Sequence, residues 1–143
     1  MKKPQPALGL VIRYDYLWRD EALRGRQEGA KDRPCAIVVA RMAEAGKAPL
    51  VLLAPITHSS PSDPRGAIEI PPKVKRHLGL DDARSWIIVT ELNSVAWDDA
   101  GIVPVSRTRW DYGFLPPKLA SIIKERVLAL AGERRLQVIN RAE

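Results

Sequence analysis

Short runs of β-branched and aliphatic residues, each soon cut off by proline or glycine, constrain this chain most. Gly9-Leu10-Val11-Ile12-Arg13-Tyr14-Asp15-Tyr16, Pro34 to Met42, Pro49 to Ile56 and Gly66 to Ile70 all have this form. So do Trp86 to Trp97 and Gly101 to Val105, the last with Pro104 inside it and therefore expected at an edge. The pattern predicts about five or six short strands. A single late stripe breaks it: Leu119, Ile122, Ile123, Val127 and Leu130 recur at helical spacing, which predicts a helix from Leu115 to Ala131. Pro116 and Pro117 suit its first turn and Gly132 its end. Lys73 to Leu80 has room for one or two helical turns stopped at Gly79. The fold class expected is mainly β with one or more helices: a small, SH3-like, partly open β-barrel with a C-terminal helix packed on it.

At 143 residues the chain is expected to be one domain, with a core of about 9–132 and a basic tail of 133–143 that continues the helix or hangs from it. A single cysteine forms no internal disulfide, and no spacing of cysteine and histidine suggests a metal site. No apolar run is long enough to span a bilayer, and no signal core follows Met1-Lys2-Lys3-Pro4, so a cytoplasmic location is expected, without a membrane partner. The formal net charge is +6. Residues 1–48 hold ten basic and six acidic side chains and residues 101–143 eight and four, around a middle of five and seven. Basic ends favour a polyanionic partner but also suit an ordinary solvated surface.

Two irregular stretches interrupt the strands. Arg19 to Asp32 reads as a long polar loop with Arg19, Arg24, Arg26 and Lys31 among acidic neighbours. Thr57 to Arg65 is a second loop, opening Thr57-His58-Ser59-Ser60-Pro61. Tyr14, Tyr16 and Trp18 border the first; they suit either stacking on unpaired bases or packing in a barrel wall. Cys35, before an Ala-Ile-Val-Val run, reads as core, and His77 as an exposed helical residue.

Four stretches together resemble the MazF/PemK family of toxin endoribonucleases, over about Gly9 to Gly132. They are Tyr14-Asp15-Tyr16; Glu28 and Ala30 with Arg33-Pro34; Ala54-Pro55-Ile56-Thr57; and Glu91-Leu92-Asn93-Ser94-Val95-Ala96-Trp97 followed by Leu115-Pro116-Pro117-Lys118-Leu119. Lys31 departs from the family's glycine, Asn93 stands where it has a basic residue, and 18–32 and 61–85 are longer than typical. The resemblance implies cleavage of single-stranded RNA by its own 2′-hydroxyl, with no metal or other cofactor. It also implies a homodimer and a cognate antitoxin protein. It assigns Arg33 to phosphate binding and transition-state charge, which a permanently charged planar fork performs well. It assigns Thr57 to a hydrogen bond with a phosphoryl oxygen or the attacking hydroxyl. His58 is a candidate proton carrier if the strand breaks at Thr57, since regular strands send neighbouring side chains to opposite faces. Arg19, Arg24, Arg26 and Lys31, with Tyr16 and Trp18, are the candidate RNA-binding residues. A module of the same fold that binds nucleic acid or protein without cutting is the alternative.

Overall fold

A computed structural model describes residues 1–142. Among them are nine strands: β1 (Leu10–Tyr14), β2 (Arg33–Arg41), β3 (Leu50–Thr57), β4 (Ala67–Glu69), β5 (Trp86–Ile88), β6 (Glu91–Ala96), β7 (Ile102–Val103), β8 (Gly113–Phe114) and β9 (Gln137–Asn140). Three α-helices join them: α1 (Arg19–Leu23), α2 (Pro72–Leu78) and α3 (Pro117–Gly132). The sheet runs β4-β5-β3-β2-β1-β7 without closing; β8 lies along β1, and β6 pairs with β3 and β9. All pairs are antiparallel except β6–β9. The chain is thus mainly β, a partly open barrel-like sheet with a C-terminal helix.

The apolar runs are uninterrupted because the β1–β2–β3 ladder is buried on both faces. Val11, Ala36, Ala54 and Ile56 face one cluster, closed by Leu78 of α2 and by Ala120, Ile123, Val127 and Leu130 of α3. Leu10, Ile12, Tyr14, Cys35, Ile37, Val51 and Leu53 alternate into the other, with Val95 and Trp97. Cys35 is fully buried, and desolvation pushes its thiol well above the ordinary range, so it is core.

Several expected boundaries move. Trp86 to Trp97 is two strands. β5 pairs with Ile56–Thr57 of β3 and with β4; β6 pairs with Leu50–Leu53 of the same β3 edge and with β9. The chain must change partners at Val89–Thr90, and Val89 donates there to the Gly66 carbonyl. The tail is neither free nor helical: β9 lies parallel to β6. The first polar loop opens with α1, whose end is capped when the Glu21 carboxylate accepts from the Trp18 N–H at 3.1 Å. Ile122 is exposed on α3, and the left-handed residue after that helix is Arg134 (φ 57°), not Gly132. Gly79 ends α2 in the left-handed conformation (φ 71°) as its position suggests. Ile102–Val103 lies at an edge as Pro104 requires. No helix among the described residues is long and apolar enough to cross a membrane.

Candidate functional site

β2 and β3 run antiparallel with Cys35 opposite Pro55. Continuing that register by two residues sets Arg33 opposite Thr57, on the same face of the ladder. Both line a cavity of about 440 Å³, together with Trp18, Lys31, Asp32, His58, Lys75 and Asp81. Two residues far apart in sequence are therefore neighbours because the strands that end in them are paired. His58 reaches the same cavity because regular pairing stops at Thr57, and the chain turns with Ser59 N–H donating to Thr57 Oγ1. A second depression of about 600 Å³ also includes Trp18, Arg33 and Thr57, so these three form a ridge between two hollows.

Arg33 is held by stacking rather than by an ion pair. Its guanidinium lies 4.9 Å from the centre of the Trp18 ring. Its Nε is buried and has no hydrogen-bond partner among the described residues. Trp18 in turn is fixed by residues on each side of it. The Asn93 side chain, fully buried on β6, accepts from Leu17 N–H at 2.9 Å and donates to the Leu17 carbonyl at 2.8 Å. Glu91, two residues earlier on that strand, accepts from Arg19 N–H at 3.0 Å and from the Tyr16 hydroxyl at 3.1 Å. The Glu91-Leu92-Asn93 run thus builds the platform beneath Arg33. Burial holds the Glu91 carboxyl above its ordinary range, with its two hydrogen bonds acting the other way.

Tyr16 corrects an expectation. Its ring is fully buried, packs edge-on to Trp18 with centroids 5.1 Å apart, and presents no face to a ligand. Desolvation pushes its hydroxyl far above the ordinary range. Trp18 is half-buried and borders both hollows. Among the candidate cations, Arg24 pairs with Asp20 at 3.8 Å and Arg26 with Glu21 at 3.2 Å. Among the described residues Arg19, Lys31 and Arg33 have no such carboxylate, since Asp32 pairs with Arg13 at 3.4 Å. Lys31 lies in the cavity; Arg24 borders the second hollow, and Arg26 a wider groove of about 1100 Å³.

Lys75, Asp81 and Arg141 belong to this region and escape a reading by sequence. Lys75 is buried at 4% exposure, on a helix whose other charges point outward. Its ammonium donates to Asp81 Oδ1 at 2.6 Å, to Ser85 Oγ at 2.7 Å and to the Ala83 carbonyl. The other oxygen of Asp81 meets His58 Nε2 at 2.8 Å. The Lys75 hydrogen bond, with further help from its charge and from His58, holds the Asp81 carboxyl below its ordinary range. Arg141, just after β9, donates to the Asp15 carbonyl at 2.7 Å and the Gln27 carbonyl at 3.1 Å and stacks over Tyr14 at 4.9 Å. The sole advance signal for Lys75 is its place four residues after Pro71, at the turn of α2 that faces the core with Leu78.

Among the described residues no group of three His, Cys, Asp or Glu side chains is arranged to hold a metal ion. Fold and site together define a mainly β domain with a basic, tryptophan-edged cleft at the ends of two paired strands. No protein-family model matches the chain, and no curated protein matches it.

Proposed function

We propose that the chain is an endoribonuclease that cleaves single-stranded RNA without a metal ion, the toxin of a toxin–antitoxin pair. The observation that carries this reading is Arg33: a guanidinium stacked on Trp18, without a carboxylate partner among the described residues, beside Thr57 and His58 in one cavity. Cleavage by internal attack needs a proton acceptor for the 2′-hydroxyl, a donor for the leaving 5′-oxygen and positive charge at the phosphoryl oxygens. The RNA 2′-oxygen bonds to phosphorus and the P–O5′ bond breaks, leaving a 2′,3′-cyclic phosphate and a 5′-hydroxyl. Arg33 supplies the charge as a fork suited to two phosphoryl oxygens. Thr57 supplies a hydroxyl to a phosphoryl oxygen or the attacking group, and His58 a proton carrier. Arg19, Lys31 and Trp18 receive the flanking backbone and an unpaired base. The working form on this reading is a cytoplasmic homodimer restrained by a cognate antitoxin protein.

The test is cleavage of a single-stranded RNA oligonucleotide in EDTA, with a matching substrate carrying 2′-deoxy at the cut site. Cutting of the RNA alone is expected; cutting of the deoxy substrate would remove the internal-attack mechanism. A module that binds RNA without cutting is favoured by one observation. The Asn93 side chain is committed to the Leu17 backbone and offers nothing to a substrate. RNA binding with no cleavage would establish that reading.

A further inference from the structure

We propose that Asp81, braced by the buried Lys75, is a positioning residue that fixes His58 through Nε2 and leaves its Nδ1 to protonate the leaving 5′-oxygen. The inference rests on the endoribonuclease reading. It starts from an asymmetry in the Asp81 carboxylate. A histidine–aspartate pair whose side chains are 60% and 56% exposed is ordinarily loose and contributes little. Here one oxygen of Asp81 accepts from Lys75, whose side chain is only 6% exposed, and the other lies 2.8 Å from His58 Nε2 as an ion-pair contact.

Lys75 is itself immobile. It satisfies three oxygens, Asp81 Oδ1, Ser85 Oγ and the Ala83 carbonyl, which accounts for all three ammonium donors. Asp81 also accepts from Ala83 N–H at 3.1 Å. The carboxylate is therefore pinned from below, and the imidazole that meets it shares its orientation. Nδ1 has no partner among the described residues. The other charged groups lining the cavity are Lys31, Asp32 and Arg33.

In the proposed step His58 enters carrying a proton on Nδ1, with Nε2 in its 2.8 Å contact with the Asp81 carboxylate. As the P–O5′ bond breaks, Nδ1 gives its proton to O5′ and its N–H electron pair stays on the ring. Solvent water takes the 2′-hydroxyl proton. The neutral ring keeps Nε2–H on Asp81 and regains its Nδ1 proton from solvent. A proton carrier oriented by a neighbouring group that is itself held in place is the arrangement expected of effective proton transfer.

The experiment is a double-mutant cycle in single-turnover cleavage, joined to NMR of the histidine ring. Asp81→Ala is expected to lower the rate at saturating RNA by as much as ~10²-fold, the scale of a small misplacement of a reacting group. Binding of a 2′-deoxy analogue should not weaken. On a His58→Ala background the same substitution should add nothing. The His58 Nε2–H resonance, visible in the wild-type protein at low temperature, should be lost in Asp81→Ala and also in Lys75→Met. Equal rate losses on both backgrounds would overturn the positioning role. If the wild-type protein cuts no RNA, the endoribonuclease reading fails by itself. The resonance still decides the brace, and its persistence in Asp81→Ala would overturn it.

Discussion

Arg33 is useful because of what it lacks. A surface arginine beside a carboxylate has its charge answered; Arg33 has an indole face and a buried, unpartnered Nε instead. Among the described residues nothing holds its terminal nitrogens, which suits them to a phosphate. Arg33→Ala should therefore lower single-turnover cleavage by about 10²–10³-fold, the usual cost of one preorganised donor. Affinity for an uncleavable 2′-deoxy analogue should fall far less, because single exposed charge contacts are weak. Thr57→Ala should act in the same direction with a smaller loss, since a neutral hydroxyl makes the weaker hydrogen bond. Equal losses in rate and affinity would make Arg33 a binding residue only. At this scale the sequence was legible where chemistry is written into residue type. Arg33 and Thr57 were not of that kind: by type alone each suits an ordinary strand end, and only the resemblance singled them out, while strand pairing brings both to one cavity. Tyr16 was misread because an aromatic at a strand end looks the same whether it faces solvent or core; here Glu91 and Trp18 take it inward.

Two elements decide how that residue set is held. α2 and the turn after it bring Lys75 and Asp81 to His58, and Arg141, the residue after β9, reaches the base of the polar loop. Arg141 ties Asp15 to Gln27 across that loop and contacts Asn93 Oδ1 at 3.4 Å. Arg141→Ala leaves the half-buried Asp15 carbonyl and carboxylate oxygen without their cation. The expected cost is about 1–3 kcal/mol of stability, typical of orphaned acceptors. Hydrogen exchange should quicken across residues 15–30 while the amides of β3 stay protected. Uniform quickening would mean that the clamp is global, and no change would mean that it is idle. The strands of the ladder were legible because both faces are apolar and proline or glycine closes each run. β9 was not, because Gln137-Val138-Ile139-Asn140 is a short run inside a charged tail, paired along the β6 edge it covers. The break at Val89–Thr90 was hidden for a related reason: an unbroken β-rich run says nothing of a change of partner.

For the molecule as a whole, charge opposes itself at acid pH. Asp81, Glu69 and Glu133 are held below their ordinary values by Lys75, Arg84 and Arg65 respectively. Each adds stability above its ordinary value, 3.8 for Asp81 and 4.5 for the two glutamates, lost as pH falls through the lower folded-state value. Glu91 runs the other way. Burial raises it, so its contribution is fully present below 4.5 and is lost as pH rises through the higher folded-state value. Glu91→Gln keeps an acceptor for Tyr16 and Arg19 and removes the buried charge. The variant should melt higher than wild type at pH 7, and the gap should shrink as pH falls to 4. A gap independent of pH would mean that Glu91 acts through packing alone.

On the proposed function, the same separation of paired from unpaired charge governs how RNA is drawn in. The formal +6 overstates the attraction at the cleft, because Arg24, Arg26 and Arg13 are already matched by Asp20, Glu21 and Asp32. On that reading Lys31 and Arg33, which line the cavity, and Arg19, which lines none of the three hollows but follows Trp18, remain for the backbone. Each phosphate neutralised on a single strand contributes a log–log salt slope of roughly −0.7, so three contacts give a slope of about −2. Arg33→Ala should flatten that slope by roughly 0.7, and Lys31→Ala by a similar amount. Arg24→Ala and Arg26→Ala should leave it nearly unchanged, since those guanidinium groups neutralise carboxylates of the protein. Binding of a 2′-deoxy oligonucleotide, followed by fluorescence anisotropy across a salt series, reads all five proteins on one scale. A slope that responds to Arg24 and Arg26 as strongly as to Lys31 and Arg33 would show that the ion pairs open on binding and that net charge, not the unpaired cations of the cleft, draws the strand in.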